Sequence, residues 1–321
     1  MPNHHSGARR IWCETLELAQ VRRENVLGPL RDRSVQLVLA IRPDAVQAAA
    51  RTLEAARAAG VRVAVWPMLE DEHGRWLNAG NADRFLEFVQ HMLDGLEHAG
   101  VMPDELALDL EPPIAEVRTM LRGNLRPLLD GWSSRPVNDA CSRLLSMLRE
   151  RGISPWAAVV PLVLADRPGR SGWQRLLCTP VDHTAFERIS PMVYTSIAGG
   201  YTRGLLRRSD LRALLWRSAR ACARRFGPRA AASLGAVAPG ALGDETPYAS
   251  PEELADDVAI VRAAGIEDLA LFDLGGVVRR GPVDAWLDAF VDTPPALTPP
   301  ASTVRARMVE TVAVAVSRVA S

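Results

Sequence analysis

The stretch LALDLEPP, residues 106–113, sets Asp109 and Glu111 two positions apart in an alternating apolar run that two prolines stop. On an extended strand side chains alternate faces, so both carboxylates point the same way. Like charges so close are costly unless the site is wet, bridged by a cation or built to shift a pKa. The last case does chemistry: the pair pushes its pKa values apart, and one member keeps a proton to donate as a general acid. The plainer alternative is that both are salt-bridged to arginines.

The elements that must position this pair come next. Eight short apolar runs recur along the chain: RIWCETL (10–16), VQLVLAI (35–41), VRVAVWPML (61–69), ELALDLE (105–111), PWAAVVPLVLA (155–165), ISPMVYTS (189–196), AASLGAVAP (231–239) and DLALFDLGG (268–276). Between them lie amphipathic stretches such as AVQAAARTLEAARAAG, which end at a glycine, the usual helix stop. Strands apolar on both faces, alternating with helices eight times, predict an α/β chain folded as a (β/α)8 TIM barrel over residues 1–292. No GxGxxG follows the first strand, which counts against a dinucleotide fold. Residues 293–302 read as a proline-rich linker, and 303–321 as a C-terminal amphipathic helix or tail open to self-association.

In such a barrel catalytic side chains sit at the C-terminal strand ends. Those ends bring Glu14, then Trp66 and the polar loop with Trp76 and Asn78, then Asp109 and Glu111. Asp166, Tyr194, Phe272 and Asp273 follow. Carboxylates and aromatics on one rim suit a sugar, because rings stack on pyranose faces while carboxylates bind hydroxyls and move protons. Each residue also has a plainer use: Tyr194 and the tryptophans as packing, Asp273 as the cap of GGVVRRGP.

Composition removes several classes. The chain of 321 residues contains no lysine, so Schiff-base and lysine phosphate-loop chemistry are excluded. Its 38 basic and 38 acidic residues leave no global field toward nucleic acid or membrane. Nine arginines between Tyr201 and Arg229 interleave with apolar residues and read as a solvated helix face. Cys13, Cys141, Cys178 and Cys222 lack CxxC spacing and read as free thiols. With no apolar h-region in MPNHHSGARRIW, the expected location is cytoplasmic.

Here the sequence resembles glycoside hydrolase family 18, the chitinase-like barrels, whose fourth strand carries DGxDxDxE. Aligned on Glu111, this chain reads DELALDLE: Asp104, Asp109 and Glu111 match, while Ala107 stands for the middle Asp and Glu105 for the glycine. The family's M-x-Y followed by Asp or Asn is met by Met192 and Tyr194, with Thr195 in place of the acid; Phe272 is nearest to its eighth-strand Trp. The resemblance implies substrate-assisted retaining hydrolysis of an N-acetylated sugar. Glu111 would be the general acid, Asp109 would hold the acetamido N–H, and Tyr194 would bond the acetamido oxygen. Trp66, Trp76, Asn78, Glu14, Phe272 and Asp273 would line the substrate site. Neither cofactor nor metal is implied.

Three alternatives stay open. A two-carboxylate glycosidase needs a strand-seven nucleophile, and only Asp244 and Glu245 follow that strand. A metal-dependent hydrolase or isomerase needs more than His73 near a strand end. A sugar-binding barrel without turnover fits the departures at Ala107 and Thr195.

Overall fold

The computed structural model describes residues 7–124, 126, 135–167, 169–182, 184–240 and 242–321. The expectation placed on MPNHHS therefore lies outside the described residues. Eight parallel strands form: β1 Arg9–Cys13, β2 Val35–Ile41, β3 Val63–Pro67, β4 Glu105–Leu110, β5 Ser154–Val159, β6 Arg188–Pro191, β7 Ala231–Gly235 and β8 Asp268–Phe272. Their order in the sheet is β6-β5-β4-β3-β2-β1-β8-β7. A further parallel bridge joins Met192, just past β6, to Ser233 in β7, so the sheet curls into a nearly closed (β/α)8 barrel with helices between the strands.

Every expected strand exists, and most stop earlier than their apolar runs. β5 ends at Val159 because Pro161 opens a 3-10 turn, and β6 ends at Pro191; proline donates no ladder hydrogen bond. The helix Val46–Ala58 stops at Gly60 (φ +80°) and Pro251–Ala263 at Gly265 (φ +96°). Both take the left-handed turn that glycine adopts without a Cβ clash.

By internal contacts the chain divides into two units. One holds residues up to Val38, Ala59–Arg62 and Ser190–Met308; the other holds Leu39–Ala58, Val63–Ile189 and Val309–Ser321. In the first, β7 and β1 pair with β8, Arg10 and Asp268 form an ion pair, and the Ser190 and Ser233 hydroxyls lie 2.9 Å apart. In the second, β3, β4 and β5 pair in register. The C-terminal helix, Val304–Ala320, spans the division. From Val309 onward it docks in the second unit: Trp173 Nε1 donates to Ala313 O at 2.8 Å, and Ser317 Oγ to Asp166 Oδ1 at 2.6 Å. Gly172 makes this possible, since a Cβ there would stand 2.1 Å from Ser317 O. Val304, Met308, Val312 and Val319 remain exposed on the helix. No helix among the described residues is long and apolar enough to cross a membrane.

Candidate functional site

The second unit holds the carboxylate pair. Ala107 of β4 lies opposite Trp156 of β5, and Asp109 opposite Ala158. The β3–β4 register pairs Val65 with Leu106, so one residue further Trp66 lies opposite Ala107. In-register neighbours of a parallel pair share a face. Ala107, where the chitinase-like motif has its middle Asp, thus sits in a layer between two buried tryptophans. Asp109 follows on the same face and is 6% exposed, and the strand ends at Leu110. Glu111, next in the chain, is half-buried and reaches solvent.

Two loops converge on this strand end. From the loop after β3, Trp76 Nε1 donates to Pro112 O at 2.7 Å. From the segment after β5, Thr179 Oγ1 donates to Leu110 O at 3.1 Å. The first loop is held from within. Asp71 takes Arg75 at 2.7 Å and Arg118 at 3.3 Å, while Asn78 and Asn81 each donate to Trp76 O at 2.8 Å. Gly74 turns it at φ +87°, where a Cβ would meet Asn78 Nδ2 at 2.7 Å. At the loop's edge Glu70 is held below the usual carboxylate range, by its own backbone amide first and then by His73 at 3.2 Å. The second segment is held by Gln174, whose Oε1 accepts from Val181 and Asp182 amides at 3.0 Å, and by Asp166, which accepts the Trp173 and Gln174 amides.

These facts place the residues expected to line a substrate. Trp66, Trp76 and Asn78 are buried, and the Trp76 indole N–H and Asn78 amide bond backbone carbonyls. Asp109, Glu111, Trp66, Trp76 and Asn78 share the second unit; Glu14, Tyr194, Phe272 and Asp273 belong to the first.

In the first unit, Glu14 is half-buried after β1. The Tyr194 and Phe272 rings lie 6.0 Å apart, beside two glycines that leave them room. A Cβ on Gly235 would approach Tyr194 Cδ1 to 3.2 Å, and one on Gly240 would approach Phe272 Cε1 to 2.7 Å. Asp273 is fully buried; it caps the helix Leu274–Arg280 through Gly276 N at 2.9 Å and accepts Thr15 Oγ1 at 2.7 Å. Glu245 is also buried and accepts the Gly240 and Leu242 amides. It is thereby occupied at the position where a strand-seven nucleophile would be sought.

Thr195, which replaces the motif acid, donates to Asp257, and Asp257 also accepts Tyr248 Oη at 2.9 Å and Arg208 at 2.8 Å. Burial pushes the Asp257 carboxyl up even against Arg208. This knot escaped sequence reasoning because its members lie up to 62 residues apart. All four cysteines are buried and free, and burial raises Cys178 to about 11 and Cys141 and Cys222 to about 12. None is a thiolate nucleophile at neutral pH. Among the described residues no group of three or more His, Cys, Asp or Glu is placed to hold a metal ion.

No protein-family model matches the sequence, and no curated protein matches it. Solved structures do match in three dimensions. The glycoside hydrolase domain of PgaB (BpsB) from Bordetella bronchiseptica superposes with a TM-score of 0.55 at 13% identity, over 88% of this chain and 99% of that one. The exo-beta-1,4-mannosidase Op5Man5 from Opitutaceae bacterium strain TAV5 gives 0.55 at 12% identity, over 96% of this chain and 60% of that one. A family 18 chitinase from Cycas revoluta, solved with (GlcNAc)3, gives 0.54 at 13% identity, over 89% and 99%. At these identities the likeness is one of fold: this chain is a (β/α)8 barrel of the kind on which those hydrolases are built.

Proposed function

We propose that this barrel is a glycoside hydrolase that cleaves an N-acetylated sugar by substrate-assisted retaining catalysis. The observation that carries the reading is the end of β4, where half-buried Glu111 follows buried Asp109 between two hydrogen-bonded carbonyls. The fold likeness to glycoside hydrolases supports it. Glu111 protonates the glycosidic oxygen as the C–O bond breaks, and the acetamido carbonyl oxygen of the sugar bonds to the anomeric carbon. Asp109 holds and charge-balances the acetamido N–H. Water then opens the cyclic intermediate, and Glu111, now a carboxylate, takes its proton. A small glycoside or imported oligosaccharide in the cytoplasm is the substrate class in this reading, and buried free thiols fit a reducing compartment.

The test compares wild type with Glu111→Gln on chromogenic N-acetylglucosaminides and plain glucosides. Loss of a general acid lowers kcat by about 10²–10⁴-fold, and only the N-acetylated sugars should be cleaved. Equal cleavage by the variant would remove Glu111 from the mechanism. The apolar layer Trp66–Ala107–Trp156 favours a second reading, a carbohydrate-binding barrel without turnover. Sugar binding by calorimetry with no cleavage by wild type would select it.

A further inference from the structure

The chain after Glu111 has an unusual problem. Pro112 and Pro113 carry no N–H, so over two residues the backbone can be held only through its carbonyls. The ladder of β4 has ended at Leu110. A general acid placed there would ride on a backbone with few donors of its own. Yet the carbonyls on either side of Glu111 are both engaged by side chains. Thr179 Oγ1 reaches Leu110 O at 3.1 Å and Trp76 Nε1 reaches Pro112 O at 2.7 Å. The two donors come from different loops, after β5 and after β3, and each loop is fixed by its own hydrogen bonds. Neither donor was gathered for substrate: Thr179 is fully buried and Trp76 is 5% exposed.

We propose that Trp76 and Thr179 are positioning residues, a two-sided clamp that sets where the Glu111 carboxyl stands. What Glu111 does there rests on the glycosidase reading; the clamp itself does not. The loop Leu69–Asn81 would then be a rigid cassette that delivers one indole N–H, which accounts for Asn78 and Asn81 both bonding Trp76 O. The segment Asp166–Asp182 would be its counterpart, delivering one hydroxyl and buttressed from behind by the C-terminal helix through Ser317 and Ala313.

The test uses Thr179→Val, which keeps shape and removes the donor, with Thr179→Ser as the rescue that keeps the hydroxyl, and Trp76→Phe, which removes the indole N–H together with one ring. Amide hydrogen exchange is followed at Glu111 and Ile114, which flank the proline pair, together with kcat and KM on the N-acetylated glycoside. Each donor-lacking variant should speed exchange there by about tenfold, with the rest of the barrel unchanged, and lower kcat by about tenfold or more at constant KM, because catalysis is steep in geometry. Thr179→Ser should restore both. Unchanged exchange in both donor-lacking variants would overturn the clamp, even where Glu111→Gln abolishes activity. If exchange responds as expected while wild type cleaves no glycoside, the clamp stands and the glycosidase reading falls. Should Thr179→Ser exchange as fast as Thr179→Val, packing and not the hydroxyl fixes the strand end, and the Thr179 arm is refuted.

Discussion

Both units bond buried carboxylates inward, Asp273 and Glu245 in one and Asp166 in the other, and they differ at the end of β4. In the one built on β7 and β8, Asp273, Glu245 and Asp257 are buried and bonded inward, to a helix start, a loop and a cationic knot. In the one built on β3, β4 and β5, side chains from two loops serve the β4 backbone, and Glu111 is left reaching solvent. A buried carboxylate receiving two or three good donors is stabilising structure; a half-buried one on a backbone held by two loops is the position the proposed function uses. The contrast says where to look for chemistry more sharply than residue type does, since both units are rich in acids and aromatics.

The severest way to break the contrast is at Asp257. Its carboxylate is fully buried and accepts Arg208, Tyr248 and Thr195 at once, tying together the helices Thr195–Tyr201, Arg208–Phe226 and Pro251–Ala263. Asp257→Ala removes the acceptor that Arg208, Tyr248 and Thr195 share, and leaves Arg208 its contacts with Glu253. Breaking a buried pair of this kind costs about 3–5 kcal/mol, and the thermal midpoint should fall accordingly. Glu111→Gln, an isosteric change at a half-buried position, should lower the midpoint by far less. A small effect at Asp257 and a large one at Glu111 would invert the assignment of structure and site.

A smaller effect is expected from restoring the missing motif acid. Ala107→Asp sets a carboxyl between Trp66 and Trp156, in a layer with 0% exposure at Ala107. An unpaired polar group there costs on the order of 1–3 kcal/mol as the neutral acid. Denaturant titration should show that loss, and it should grow with pH as ionisation is forced on a buried group. If the variant is as stable as wild type and gains turnover, the aromatic layer is no substitute for the acid, and the chain has lost catalysis by this one replacement.

Much of this was legible in the sequence. The eight strands are, because each is an apolar run bounded by glycine, proline or polar residues, and β4 starts where its run starts and ends one residue before it. Asp273 as a helix cap is legible too, from an acid directly before Leu-Gly-Gly. The fate of Trp76 and Asn78 is not: a polar loop with an indole looks like a ligand surface, and only the fold shows Asn78 and Asn81 turning inward onto Trp76 O. The Trp66–Ala107–Trp156 layer depends on register between strands some 40 to 50 residues apart, which no local pattern encodes. Thr195 looked like a lost acid because its partner, Asp257, lies 62 residues further on, beyond β7.

The smallest expected effect concerns Asp210, where the first unit meets the start of the C-terminal helix. Its carboxylate accepts Arg207 N at 2.9 Å and lies 3.6 Å from Arg305. The Thr303 hydroxyl, foremost, and the Arg207 amide hold its pKa below the ordinary value. A carboxyl whose folded pKa is depressed contributes stability above its unfolded value of about 3.9, and that contribution disappears as pH falls through the lower folded value. The stability difference between wild type and Asp210→Asn should therefore be constant from neutral pH down to about 5 and shrink as pH falls below the ordinary carboxylate range. Salt should diminish only the Arg305 share, because the Thr303 and Arg207 bonds are short-range. A difference that persists at low pH would mean that Asp210 acts through packing and not through its charge. The helix start would then be held by Ala306, which is fully buried, with the carboxylate incidental.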